Sequence, residues 1–453
     1  MRRPVWAVHV FVVGLALHNF VMAELWDAGV HGHALEGISA WKEALLVVCL
    51  VSVGARVWRT FAWNRVDLLA LAYAAIVVVW CVLPQHWLGG SATHHGILLG
   101  AREDLIPVGA YFFGRGLALT ESELRRIGQT ILVTAGALAA FGLVDIYAIP
   151  LSWWRHSGVP DWYRYQLGFG RSYQGLSYLP QNFVYNTGNG HIYRRLVSTF
   201  LSPLATSYVF VVALLLVLAW VMRLRPRAIV WVPMTALVFA ALLWTHSRSS
   251  YIALALALVS IVLVRREWWL VLAASLVIVL GVGSIFVKEY SHIAPVTSFT
   301  PAEIHFQQTN AQATGQSAGG GFADASTSSH WRNLRAGIGK VIHHPQGYGV
   351  GNAGSSAERT NVTVQAGEST YTQVGIDAGI VGALLFIAWS LALLRFVLPC
   401  VAWVGASFVA VFALALQTDV LGVPWLAYVL WILGGSVVSI ALTRRFETRP
   451  SYQ

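Results

Sequence analysis

A scattered set of side chains in this sequence has the chemistry to handle a phosphate ester: Arg194 and Arg195, Arg248, Arg332 and Arg335, and Glu368. A guanidinium holds phosphate oxygens well because its planar fork donates parallel hydrogen bonds and keeps its charge. A partly desolvated carboxylate holds protons more tightly and can serve as a general base. Cations with one carboxylate are what transfer from a lipid diphosphate needs. Arginines stabilise the leaving diphosphate, and the base activates an acceptor hydroxyl. Each residue also has a plainer reading. Arg248, in Thr245-His246-Ser247-Arg248-Ser249-Ser250, can be an arginine that snorkels to a membrane interface. Glu368, in Gly367-Glu368-Ser369-Thr370-Tyr371, can be an acid favoured at a helix N-terminus. Arg102-Glu103-Asp104 lies inside an apolar block near its outer end, where a local ion pair is the simpler expectation.

The elements that must position these groups follow from the distribution of charge. Only 11% of residues are charged and 57% are hydrophobic. The apolar residues come in blocks of about 15–25, and about 20 suffice to cross the hydrocarbon core as a helix. Spans are expected at 4–23, 41–57, 66–86, 97–118, 128–149, 203–221, 227–245, 250–264, 268–287, 371–394, 398–417 and 424–442. The fold class expected is therefore all-α, a polytopic membrane protein of about 12 transmembrane helices. Arg2/Arg3, Arg56/Arg59/Arg65, Arg115/Arg125/Arg126, Arg223/Arg225/Arg227, Arg265/Arg266, Arg395 and Arg444/Arg445/Arg449 fall in alternate gaps. The positive-inside rule makes those gaps and both termini cytoplasmic. The net charge of +10 is then an orientation signal and not a sign of nucleic-acid binding. The first apolar block lacks a small-x-small cleavage site and reads as a retained helix.

The whole chain, 1–453, reads as a single multi-pass domain with two long loops on the outer face. The first, 150–202, is basic and aromatic, with Trp153, Trp154, Trp162, Tyr163, Tyr185 and Tyr193 among its rings. Such a loop suits a lipid-linked glycan, or an interfacial segment anchored to head groups. The second, 288–370, opens Gly/Ser/Thr-rich at 309–329, as a flexible stretch would. It turns helical in pattern at 331–342 and ends in a glycine-rich run to Gly351. The letters Gly349-Val350-Gly351-Asn352-Ala353-Gly354 match a dinucleotide fingerprint but lack its strand–turn context. A turn that lets backbone approach a ligand is the better reading. The pairs His31/His33, His94/His95 and His343/His344 lack ligand spacing, so no metal and no cofactor is expected. Cys49, Cys81 and Cys400 all lie inside expected spans and give no metal or disulfide pattern.

The order of motifs resembles the O-antigen ligase / O-antigen polymerase family of bacterial membrane glycosyltransferases. The resemblance is carried by Arg195-Leu196-Val197-Ser198-Thr199-Phe200-Leu201-Ser202-Pro203 and by Thr245-His246-Ser247-Arg248-Ser249. It continues through Arg335-Ala336-Gly337 to His344-Pro345-Gln346-Gly347, and through Glu368-Ser369-Thr370-Tyr371 to Asp377 and Gly379. Arg115 fits a Gly-Arg often seen after the fourth span. Residues 194–395 form the family-like core.

The resemblance implies a GT-C-like, metal-independent, inverting transferase in the bacterial inner membrane. Its partners would be undecaprenyl-diphosphate-linked oligosaccharide and membrane lipids, with a chain-length regulator and a flippase as further candidates. Arg248 and Glu368 would be catalytic, and Arg194, Arg195, Arg332 and Arg335 would bind the diphosphate. His330, Tyr371 and Arg102 are accessory candidates. Ligases that load lipid A-core characteristically have histidine where this chain has Glu368, so the implied activity is polysaccharide polymerisation. The alternatives are a ligase acting on lipid A-core or protein and, in another class, a flippase. The nearly uncharged mid-span segments argue against a flippase.

Overall fold

A computed structural model of the chain describes residues 3–57, 61–169, 179–186, 192–223, 232–266, 277, 294–297, 325–362 and 369–447. The apolar blocks fold as helices, because a helix satisfies every backbone group within one segment. In chain order they begin with α1 (Trp6–Asp27), α2 (Gly32–Ser39), α3 (Trp41–Val57), α4 (Arg65–Val82), α5 (His94–Leu117) and α6 (Glu121–Ala148). Two short helices follow, α7 (Leu151–His156) and α8 (Val159–Asp161), then α9 (Pro203–Arg223), α10 (Val232–Trp244) and α11 (Arg248–Arg265). The last are α12 (Ala325–His343), α13 (Gly354–Arg359), α14 (Thr370–Cys400), α15 (Ala402–Leu414) and α16 (Trp431–Glu447), the last entered through a π-helical turn at Leu426–Leu430.

Among the described residues, seven helical stretches are long and apolar enough to cross a membrane, and α10, α11 and α15 supply shorter apolar helices. This is the architecture of an integral membrane protein. The expected span 268–287 lies outside the described residues except for residue 277; each of the others overlaps a helix. Glu368, Arg225, Arg227 and most of the glycine-rich stretch also lie outside them. The all-α expectation needs one correction. β1 (Val184–Asn186), β2 (Ile192–Arg194) and β3 (Val296–Thr297) form a small antiparallel sheet in that order, joining the two long loops.

The ends of two helices bury charge. Arg115, counted above as an orientation signal, is 5% exposed. Its Nε donates to Asp67 Oδ1 at 2.8 Å and its Nη2 to Asp67 Oδ2 at 3.0 Å. Tyr111 donates to the same carboxylate at 2.6 Å, and Arg115 Nη1 donates to Ser439 at 2.5 Å. This ties α4, α5 and α16 together. Asp67 also caps its own helix, accepting from the Asn64 backbone N–H at 3.0 Å. Where α5 and α16 cross, Ser436 and Ser439 donate to the carbonyls of Gly114 and Arg115. A Cβ on Gly435 would lie 2.9 Å from the Arg115 nitrogen, so only glycine admits that approach.

Helix α14 is broken where the glycine-rich turn meets it. Gly379 has φ 73° and ψ 177°, a conformation natural to glycine. The freed backbone groups are taken up by the turn: Tyr348 N–H donates to Ile376 O at 2.6 Å, and Ile380 N–H donates to Pro345 O at 2.9 Å. This is a kink with an identifiable cause, an inserted turn at glycine.

Candidate functional site

Two of the predicted motifs, the segment from Arg195 and the 245–249 hairpin, meet where α10 turns into α11. Residues 245–247 make that turn, with His246 at φ 50°. The segment leaving β2 packs directly on it: Leu196 N–H donates to Trp244 O at 2.9 Å, and Arg195 Nε donates to Thr245 O at 2.9 Å. Arg195 and Arg248 thus flank His246, whose ring stacks on Tyr185 with centroids 5.4 Å apart. The Arg248 guanidinium lies over the same tyrosine at 5.9 Å. Burial, with Arg195 and Arg248 adding to it, pulls the His246 imidazole down to about 3. The histidine is therefore neutral at physiological pH, and the positive charge of the hairpin belongs to the two arginines.

Arg194 has a different role. Adjacent residues of a strand point to opposite faces, and Arg194 points into the bundle. Its guanidinium donates to Asp145 Oδ1 at 3.0 Å and to the carbonyls of Asp145, Ile146 and Ile149. Those carbonyls lie at the C-terminal end of α6, where helix carbonyls run short of intrahelical donors, and Asp145 O also accepts from the Ile149 N–H at 3.1 Å. Arg194 is 5% exposed and holds the loop to the bundle; no face of it is presented to a ligand. The aromatic loop is likewise mostly core: Trp154, Trp162, Tyr163, Phe183 and Tyr193 are buried. Trp153 and Tyr165 remain exposed.

Next to the hairpin stands Tyr208 of α9. It hydrogen-bonds Thr418 at 2.9 Å, with Arg195 and Asp419 both within electrostatic reach. Asp419 lies in the loop after α15 and accepts from the backbone N–H groups of Leu421 and Gly422. Burial and the nearby Glu103 push its carboxyl up to about 8. The same loop receives the start of α14. Thr370 N–H donates to Ala415 O at 3.0 Å, its hydroxyl donates to Thr418 O at 3.0 Å, and Ser369 Oγ donates to Ala415 O at 3.0 Å. Glu368, outside the described residues, is joined to that pinned segment. Tyr371 donates to Phe412 O at 3.1 Å, so its hydroxyl is engaged in holding α14 to α15.

The Arg102-Glu103-Asp104 run does not pair within itself. Three adjacent helical residues face three directions, about 100° apart. Arg102 meets Glu43 at 3.4 Å, Glu103 accepts from Ser355 at 2.7 Å and Gln373 at 3.1 Å, and Asp104 accepts from Tyr73 at 2.9 Å. Asp377, buried in α14, accepts from Asn352 N–H at 3.1 Å. Asp419 escaped the sequence reading, and Glu103 entered it only as a member of a local ion pair. Gln373, part of the motif that starts at Glu368, stands four residues before Asp377 on one helical face.

The glycines between Gly347 and Gly354 serve packing. Gly349 lies against Gln85, where a Cβ would come within 2.6 Å, and Gly351 lies against Gly96, also at 2.6 Å. Backbone approaches a helix and a side chain here. Helix α12 runs along α14, with Gly337 against Thr372. It begins at Ala325, inside the stretch expected to be flexible. Arg332 and Arg335 are exposed on it, and Arg335 covers Trp331 at 4.8 Å. The His330 side chain lies outside the described ones. In two of the histidine pairs the rings have partners: His33 with Glu36, His31 with Trp26 O and His343 with Gly339 O nearby in sequence, and His344 with Leu88 O across the fold. Among the described residues, no three His, Cys, Asp or Glu side chains gather as a metal site.

The family model described as O-antigen ligase matches residues 233–387, from the start of α10 to the middle of α14. Over these residues the chain is similar to the O-antigen ligase family. The matched segment contains the Arg248 hairpin, α12, the glycine-rich turn and the entry to α14, while Arg195, Tyr208 and Asp419 lie outside it. Members of the O-antigen ligase family are glycosyltransferase-like enzymes that act on lipid-linked oligosaccharides. No curated protein matches the chain.

Proposed function

We propose that the protein is a polysaccharide polymerase on the outer face of a bacterial inner membrane. It takes a glycan from its undecaprenyl diphosphate carrier and transfers it to a sugar hydroxyl of another lipid-linked unit. The acceptor oxygen attacks the anomeric carbon, the bond from that carbon to the diphosphate oxygen breaks, and the configuration inverts. The electron pair leaves on undecaprenyl diphosphate, and the hydroxyl proton passes to a carboxylate. Arg248 and Arg195 hold the departing diphosphate, and Arg332 and Arg335 approach it from α12. Glu368 is the base. No metal is needed where guanidinium groups carry the diphosphate charge.

The observation that supports this reading most is the gathering of charge around Tyr208. Arg195 and Asp419 both lie within electrostatic reach of it, Arg195 and Arg248 both stand beside His246, and the loop carrying Asp419 receives Ser369. A transfer needs a cation for the leaving group and a proton acceptor for the attacking hydroxyl. Arg248→Ala tests the reading: polymer yield should fall at least ~100-fold, the scale of losing one preorganised charge-stabilising donor. The variant should reach the membrane in normal amounts. Polymer of normal length and yield would overturn the assignment.

A second reading has an observation in its favour. Transporters use broken helices with buried polar groups, and α14 is broken at Gly379 close to buried Asp377. A flippase would carry labelled lipid-linked oligosaccharide across liposomes without making a bond; the polymerase would lengthen it on one face.

A further inference from the structure

A second cationic cluster stands beside Glu103, formed by residues other than the hairpin arginines. Arg102 on α5 and Arg359 at the end of α13 lie within electrostatic reach of each other, with Lys42 of α3 close by. Like charges gathered in a partly buried place are costly unless something neutralises them. Their counter-ions are few. Glu43 lies 3.4 Å from Arg102 and 3.6 Å from Lys42, but neither of its oxygens accepts a hydrogen bond among the described residues. Glu103 is taken by Ser355 and Gln373.

The two guanidiniums are also short of partners. Lys42 is satisfied by Ser39 O at 2.6 Å and the His18 ring at 3.1 Å. Among the described residues, Arg359 donates only its Nε, to Leu167 O at 2.9 Å, and Arg102 makes the Glu43 ion pair and no hydrogen bond. Each guanidinium carries five N–H donors, so most are left for something outside the chain. Burial and the neighbouring Arg102 bring Arg359 down to about 10, which leaves it cationic at neutral pH. Arg102 is 33% exposed along its side chain, so the site is reachable.

We infer that Arg102 and Arg359 bind the diphosphate of a second lipid-linked glycan, the acceptor. The inference rests on the transfer reading above. Polymerisation joins two lipid-linked molecules, so it needs two anion sites. The Arg102/Arg359 pair and the Arg195/Arg248 pair are two that the fold supplies, and they are linked through Glu103, Asp419 and Tyr208, each within electrostatic reach of the next.

The test is native mass spectrometry of the full-length protein in detergent with undecaprenyl diphosphate as probe, which needs no turnover. The wild type should bind two molecules, and Arg102→Gln/Arg359→Gln should bind one, with the lost affinity at least tenfold weaker. Arg102→Lys/Arg359→Lys should recover part of it, and thermal unfolding should report all variants as folded. Inorganic pyrophosphate should displace the second molecule; phosphatidylglycerol should not. A wild type binding one molecule, or a glutamine variant still binding two, would overturn the inference and leave the transfer reading intact. Displacement by phosphatidylglycerol would also overturn it, because the site would then be a general anionic-lipid surface. Failure of the transfer reading shows separately, as full binding by Arg195→Gln/Arg248→Gln.

Discussion

Neighbouring arginines in the sequence have unlike roles in the structure. Arg194 and Arg195 read as one basic pair, yet a strand of three residues sends the first onto the end of α6 and the second onto the hairpin. So short a strand leaves no alternating pattern to read, and the split was not legible. Arg248 was legible, because a charge in a tight turn between apolar blocks is conspicuous in any sequence. Glu103 and Asp419 were not, since their importance comes from contacts between segments far apart in the chain. His246 makes a prediction about pH. Its folded value, about 3, lies below its ordinary 6.5. The stability it contributes is present above about 6.5 and is lost as pH falls toward 3. The detergent-solubilised wild type should therefore lose more thermal stability between pH 7 and pH 4 than His246→Gln does. Parallel losses in the two proteins would show that this histidine does not set the hairpin's acid sensitivity.

At the scale of elements, helices were readable from length and hydropathy, and boundaries mostly fell within a few residues. The exceptions have physical causes. The sheet joining the two loops pairs residues 184–194 with 296–297, a contact that no local pattern announces. The break in α14 was hidden because its neighbours are ordinary helix formers, and the cause is a turn arriving from residues 345–348. The glycine-rich run was recognised as special, but its purpose is to fit backbone against α5. Gly351 sits at φ 91° with Gly96 where a Cβ would go. Gly351→Ala should cost roughly 1–3 kcal/mol through overpacking alone, with further strain from the positive φ. Lower thermal stability, accompanied by protease cleavage within 345–360, is the expected outcome. An unchanged melting temperature would contradict the packing role.

For the molecule as a whole, the charge pattern pointed to a membrane protein and the apolar helices bear that out. It did not reveal that one of the supposed orientation charges, Arg115, is a buried staple. Hydropathy averages over a block and cannot tell a solvated arginine from one paired with Asp67. Removing one member leaves the other charge buried and alone, a loss of about 3–5 kcal/mol. Asp67→Ala should therefore reduce the folded yield sharply, and fluorescence-detected size exclusion would show it as aggregate; a monodisperse peak of normal height would contradict the staple. The central claim, glycosyl transfer between lipid-linked substrates, is tested most directly by reconstitution. Purified protein is incubated with synthetic undecaprenyl-diphosphate oligosaccharide in the presence of EDTA, and products are resolved by gel and mass spectrometry. A ladder of repeat units still attached to lipid diphosphate is the predicted result. Substrate recovered intact there, together with its passage across liposomes by the same protein, would contradict the account and make the molecule a transporter.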